Sequence, residues 1–262
     1  MEEHKITNRH GLKIHIQVDT PIDPCKLVFI AHGQKGSLEQ THIQAFADAY
    51  LENGFRVVRF DATHALGKSD GDVTDVTYDN YINDLEDVIN WSKNQQWYQV
   101  PFSLCGHSMG AQSVAWYAEH HPEVVKTLAS MAPVVNYELY TTTFPEGELS
   151  KWKKLGYQES MSKSKGIMVK IGWQVIESLK KYDLLLLANH LTMPLLIVVG
   201  DHDQPCPKAH QEILVQAINS PKATLEIIPG AEHSYRNAIN EEYGSEVHLM
   251  KHTLSKWLHQ NA

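Results

Sequence analysis

Phe102-Ser103-Leu104-Cys105-Gly106-His107-Ser108-Met109-Gly110-Ala111-Gln112-Ser113-Val114-Ala115-Trp116-Tyr117-Ala118 joins an apolar run, a serine between glycines and a helix-forming run without interruption. The first part predicts a buried strand over 101–105, and the last a helix over 108–121. A serine at such a corner, in the pattern G-x-S-x-G, has a chemical use. The glycines let the backbone pack closely, the turn projects the hydroxyl, and the helix N-terminus faces negative charge developing beside it. Ser108 is thereby the candidate nucleophile.

The same pattern occurs a second time, as Gly67-Lys68-Ser69-Asp70-Gly71. Here the continuation Gly71-Asp72-Val73-Thr74-Asp75 is a poor start for a helix, so the context that supports Ser108 rejects Ser69. The stretch Ala62-Thr63-His64-Ala65-Leu66-Gly67-Lys68-Ser69 also approaches a phosphate-binding P-loop, with Ala62 where the first glycine belongs. A P-loop needs a helix beginning at Lys68-Ser69, and Gly71-Asp72 puts flexibility and negative charge there instead. Nucleotide hydrolysis ranks last among the readings.

Working outward, Leu27-Val28-Phe29-Ile30-Ala31 reads as a buried strand closed by His32-Gly33, and two short alternating segments precede it. A helix follows over 40–52, then a strand over 56–60, a helix over 78–93, and a strand over 124–131 after the helix at Ser108. Near the C-terminus come a strand over 195–199, a helix over 209–218, a strand over 224–228 and a closing helix to Leu258. Such alternation predicts an α/β fold with a mostly parallel sheet covered on both faces. It breaks between 135 and 189, where Trp152, Tyr157, Met161, Trp173 and a Lys/Ser-rich stretch occur, and this segment is expected to be a small helical cap. The expected organisation is a core of 1–134 and 190–262 with 135–189 inserted.

Composition bounds the partners. With 31 acidic and 23 basic residues the net charge is −8, which gives no reason to expect nucleic acid. No apolar run is long enough for a membrane span, and Met1-Glu2-Glu3-His4-Lys5 does not read as a secretory leader, so a cytoplasmic monomer or homodimer is expected. Cys25, Cys105 and Cys206 form neither a metal-binding spacing nor a disulfide framework, and the 16 histidines are scattered. Neither metal nor cofactor is expected.

A serine hydroxyl needs a base, and the base needs an orienting group. His233 in Gly230-Ala231-Glu232-His233-Ser234 follows a late strand and is the expected base. Asp201, Asp203 and Glu232 remain open as the acid. Two backbone amides, Met109 after the nucleophile and Gln34 in the His32-Gly33-Gln34 turn, are the expected oxyanion hole, while His32 is expected to brace that turn. Trp152 and Trp173 suggest an aromatic acyl site in the cap, or the packing of that cap.

In their order, His32-Gly33, Gly67-Lys68-Ser69-Asp70-Gly71, Gly106-His107-Ser108-Met109-Gly110, Gly200-x-x-Asp203 and Gly230-x-x-His233 resemble the α/β-hydrolase superfamily, over nearly the whole chain. Within it the sequence is most similar to the cinnamoyl and feruloyl esterase-like group, although Thr63-His64-Ala65-Leu66-Gly67 replaces that group's Gly-His-Gly approach to the Ser-Asp-Gly turn. The resemblance implies Asp203, three residues after the glycine, as the acid. It implies a carboxylesterase acting on a small-molecule ester, with thioesterase, peptidase or acyltransferase chemistry as the nearest alternatives. A hydrolase-fold binding protein without turnover is the alternative of another kind.

Overall fold

The computed structural model describes residues 1–262. An antiparallel pair, β1 (Glu2–Thr7) and β2 (Lys13–Asp19), opens the chain, and β3 (Lys26–Ala31) follows. Then come α1 (Thr41–Glu52), β4 (Phe55–Phe60), α2 (Tyr78–Ser92), β5 (Phe102–His107), α3 (Met109–His120) and β6 (Val125–Met131). One sheet runs β1-β2-β4-β3-β5-β6 and continues through β9 (Leu195–Gly200) and β10 (Ala223–Ile228), with every pairing from β4 onward parallel. Only β2 runs against its neighbours, β1 and β4.

The period of two along β3 explains how one strand serves two layers. Leu27, Phe29 and Ala31 enter one core, with Leu85, Val88 and Ile89 of α2 and Val114 and Ala118 of α3. Val28 and Ile30 enter the other, with Ile43, Phe46 and Tyr50 of α1 and Met250, Leu254 and Leu258 of α8 (Ser245–Asn261). Every second side chain of a strand points to the same face, so a strand apolar at all positions must be covered on both sides. Asn53 and Gly54, at φ +79°, end α1, and a reciprocal box between Thr77 and Asn80 caps α2.

Between β6 and β9 lie α4 (Tyr137–Thr141), α5 (Glu148–Leu155), β7 (Tyr157–Ser162), β8 (Ile167–Gly172) and α6 (Gln174–Leu179), with α7 (Lys208–Ile218) following β9. The insertion is thus not purely helical: β7 and β8 pair as an antiparallel hairpin, Tyr157 opposite Gly172 and Ser162 opposite Ile167. Alternating Ile167, Val169 and Ile171 carry its strand signal, and Gly166 at φ +66° makes its turn. No helix is long and apolar enough to cross a membrane.

Candidate active site

β5 ends in the turn that carries Ser108, whose backbone sits at φ 55°, ψ −119° immediately before α3. A non-glycine residue held there costs on the order of 1–3 kcal/mol, and the surroundings hold it: Ser108 N–H donates to the Met131 carbonyl at 2.9 Å, and its own carbonyl accepts from Gln112 at 3.0 Å. Gly106 and Gly110 are required by space, since a side chain on Gly106 would strike the Gly110 carbonyl and one on Gly110 the carbonyls of Ala31 and His32. Gly33 is glycine for the same reason. A Cβ there would lie 2.9 Å from His107 Nδ1 and 3.1 Å from Ser108 Cβ, so its absence lets the turn after β3 close onto the serine.

Two loops at neighbouring strand ends bring the remaining groups together. His202 N–H donates to the Ala231 carbonyl at 3.0 Å, and a side chain on Gly200 would strike that same carbonyl, so the loops after β9 and β10 cross in close contact. His233 Nδ1 donates to Asp203 Oδ2 at 2.8 Å, and the Asp203 carboxylate, fully buried, also accepts from the Cys206 N–H at 2.8 Å. Asp201 instead accepts from the Gly230 N–H at 2.8 Å and from His202 at 2.7 Å. Glu232 accepts from the backbone amides of Ser234 and Arg236. Of the three carboxylates left open by spacing, only Asp203 pairs with His233.

Burial alone would lower the pKa of His233, but the charge and hydrogen bond of Asp203, with Glu232 behind, raise it above the ordinary value of 6.5. Since Nδ1 is committed to the carboxylate, Nε2 is the nitrogen left for the cavity.

Ser108, His233, Asp203 and Gln34 line one cavity of 590 Å³, together with Lys35, Gln40, His107, Met161, Ser162, Lys163, Arg236 and Tyr243. The Gln34 N–H makes no hydrogen bond within the protein. The Met109 N–H is the first of α3, one of the four amides a helix leaves without an intrahelical partner. Trp152 and Trp173 do not line this cavity. Trp152 is buried, donates from its indole to the Ile171 carbonyl at 2.9 Å and meets Trp173 edge to face at 5.8 Å, so the pair packs α5 onto the hairpin. Of the four large cap residues singled out in the sequence, only Met161 reaches the cavity.

Ser69 lies elsewhere. Its hydroxyl donates to the Asp61 carbonyl at 2.6 Å and accepts from the His15 N–H at 2.8 Å, stitching its turn to β2. Lys68 and Ser69 begin no helix, as only a single 3-10 turn at Val73–Asp75 follows, and the P-loop geometry is absent. His32 has both ring nitrogens engaged, Nδ1 donating to the Gly33 carbonyl at 2.7 Å and Nε2 accepting from the Ala62 N–H at 3.0 Å, which makes it a brace.

Sequence reasoning passed over His107, the variable residue before Ser108. Its Nε2 donates to the His233 carbonyl at 2.8 Å, and its ring lies 4.7 Å from that of His233 and 4.5 Å from that of His42. Burial, then the neighbouring His42 and His233, hold it neutral by pushing its pKa well below 6.5. The signal was in the motif, a polar ring at the end of a fully buried strand, but its partner is 126 positions away. Cys206 is also buried at the site, and its N–H is bound by the Asp203 carboxylate. Asp203, Cys206 and His233 bring ligand-type atoms within 4.8 Å of one another and are the residues that could hold a metal ion.

The doubly covered parallel sheet, the serine at its strand-to-helix corner and the buried Asp–His pair define an α/β-hydrolase. The chain belongs to the Hydrolase_4 family, described as serine aminopeptidase, S33, whose match covers residues 22–162 and 151–239. It is 23% identical, over 79% of its length and 82% of the relative's, to a thermostable monoacylglycerol lipase of Bacillus sp. (strain H-257). Among solved structures it is similar to Est1E from Butyrivibrio proteoclasticus with ferulic acid bound, at a TM-score of 0.81 and 22% identity over 98% of both chains. It is also similar to alpha/beta hydrolase domain-containing protein 10 from mouse, at a TM-score of 0.77 and 18% identity over 100% of both chains.

Proposed function

We propose that this protein is a serine hydrolase that cleaves small to medium acyl or aromatic esters through an acyl-enzyme. The observation that carries the reading is the meeting, in one cavity, of a serine on a strained turn with a histidine whose far nitrogen is bound to a buried aspartate. Ser108 Oγ attacks the ester carbonyl while His233 Nε2 takes its proton. The imidazolium so formed is stabilised and held in orientation by Asp203. The amides of Gln34 and Met109 hold the developing oxyanion, His233 gives its proton to the leaving alcohol, and water then releases the acyl group by the same steps in reverse.

The segment 135–189 acts as a cap over this cavity through its hairpin, since Met161, Ser162, Lys163 and Ser164 line one wall. The lipase named among the relatives and the ferulate bound in the similar structure point to esters. The family description favours a second reading, removal of an N-terminal amino acid, which would require a free carboxylate for the substrate's ammonium. Asp201, Glu232 and Glu241 line the cavity, and each already has a partner within the protein, in backbone amides or in Lys163. Ester cleavage is therefore preferred. Three unpaired cysteines fit a reducing compartment such as the cytoplasm.

The test is turnover of 4-nitrophenyl acetate and butyrate beside aminoacyl 4-nitroanilides. Esters should be cleaved in preference, and Ser108→Ala should lower kcat by roughly 10³-fold or more with the fold intact by circular dichroism. Full activity in Ser108→Ala would overturn the mechanism.

A further inference from the structure

The charges around the cavity are unevenly satisfied. Asp203 is bound to His233, Asp201 to the Gly230 N–H and His202, Glu232 to two backbone amides, and Glu241 to Lys163 at 2.9 Å. Lys163 is thereby paired, with Glu232 at 3.8 Å as its second partner. Lys35 is not. It makes no ion pair, and its ammonium has one hydrogen bond, to the Ser160 hydroxyl at 2.6 Å. An ammonium carries three donors and is costly to withdraw from water without a countercharge.

Its placement is built. Lys35 holds a left-handed backbone, φ 56°, in the turn that Gly33 allows to close on Ser108, and it directly follows Gln34. The hairpin clasps it twice, through Ser160 on its ammonium and through the Ser162 hydroxyl, which donates to the Lys35 carbonyl at 3.3 Å. Its charge reaches the site, being among those that act on His233. Arg236, on another wall, also has no ion pair; its guanidinium lies 4.6 Å from the centre of the Tyr243 ring, and its buried Nε has no partner. The cavity thus offers two cations without an ion pair, while each of its carboxylates has at least one partner.

We propose that Lys35 is an anion-recognition residue and that the substrate is a small ester carrying a free carboxylate. This deepens the hydrolase reading and rests on it. The carboxylate would take the ammonium donors that Ser160 leaves unused, which ties binding of the charged end to the turn that supplies the Gln34 amide. A charge-assisted hydrogen bond is roughly twice as strong as a neutral one, which is enough to decide between otherwise equal esters.

The experiment compares matched pairs: 4-nitrophenyl hydrogen glutarate against 4-nitrophenyl pentanoate, with the charge on the acyl side, and 4-butyryloxybenzoate against phenyl butyrate, with the charge on the alcohol side. In at least one pair kcat/KM should favour the anionic member by about tenfold or more. Lys35→Gln should abolish that ratio, chiefly through KM, and Lys35→Arg should retain most of it. The ratio cancels any general damage to the oxyanion turn. Preference for the neutral member in both pairs, or a ratio unchanged in Lys35→Gln, overturns the proposal. If no ester is turned over at all, the hydrolase reading fails separately. The cation site is then judged by calorimetric binding of the anionic esters to Ser108→Ala, where no binding, or binding unaffected by adding Lys35→Gln, overturns it.

Discussion

His107 Nε2 donates to the backbone carbonyl of His233 at 2.8 Å, so the residue before the candidate nucleophile fixes the loop that carries the candidate base. The strand end and the loop are thereby held in register, and a small loss of that register has large chemical consequences. Replacement by phenylalanine keeps a ring among His42, His233 and Tyr235 but removes the donor. His107→Phe should lower kcat on 4-nitrophenyl butyrate by about 10- to 100-fold with a smaller change in KM, and should cost about 1–3 kcal/mol in urea unfolding for the carbonyl left unpaired. Unaltered kcat would show that the loop holds without it.

Asp203 and Asp201 are two residues apart and do different things. Asp203→Asn should leave the fold in place and lower kcat by up to about 10⁴-fold, since an amide can fix the wrong tautomer of His233. Asp201→Asn keeps an oxygen for the Gly230 N–H and loses only the charge, so it should change kcat by less than about tenfold and stability by no more than about 1 kcal/mol. Steady-state kinetics on the two purified variants checks both; comparable losses would show that the acid was misassigned.

The pH profile follows from the raised pKa of His233. In the proposed mechanism His233 must be neutral in the free enzyme, so kcat/KM should rise with pH through a value above 6.5. In Asp203→Asn the countercharge is gone and burial dominates, so this limb should move to lower pH. Stability runs the other way. Because the folded protein holds this proton more tightly than the unfolded chain, the contribution is complete below 6.5 and is lost as pH rises through the folded value. A limb in Asp203→Asn at or above its wild-type position would contradict this.

Glu119 on α3 is fully buried, neither carboxyl oxygen has a partner, and burial, with Asp183 adding, pushes its pKa up to about 9. Between its ordinary 4.5 and about 9 the unfolded chain gives up a proton that the folded protein keeps, so stability falls as pH rises across that window. Glu119→Gln, which cannot ionise, should have a higher Tm than the parent at pH 8.5 and nearly the same Tm at pH 5. An identical pH slope of Tm in the two proteins would show that Glu119 is solvated.

The alternation of elements and the corner at Ser108 were legible in the sequence because they are local. A strand apolar at every position must be covered on both faces, and a strand that ends in Gly-x-Ser-x-Gly before a helix former leaves the chain few other conformations. That Ser69 shares the pattern and not the strand-to-helix setting was also local, visible in the poor helix formers that follow it. The hairpin of the insertion was less legible: the Lys/Ser-rich stretch was expected only as part of a helical cap, whereas Lys163-Ser164-Lys165-Gly166 is the turn between Tyr157–Ser162 and Ile167–Gly172. Six-residue strands exposed on one face give a short signal that the neighbouring helices α5 and α6 overwhelm.

What the sequence by itself determined was the class of fold, the strand-to-helix corner at Ser108 and the order in which Ser108, the two aspartates and His233 follow one another. Spacing left three carboxylates open and only the resemblance pointed to Asp203; tertiary structure decided that it meets His233, that His107 braces that loop, that Trp152 and Trp173 turn into the insertion, and that Lys35 lines the cavity without an ion pair. The physical reason is range. Dihedral preference and burial period act over a few residues and are written along the chain. Pairing at 2.8 Å between residues 30 or 126 positions apart depends on how loops close over a finished sheet, and Asp201 and Asp203 are chemically identical until that closure separates them.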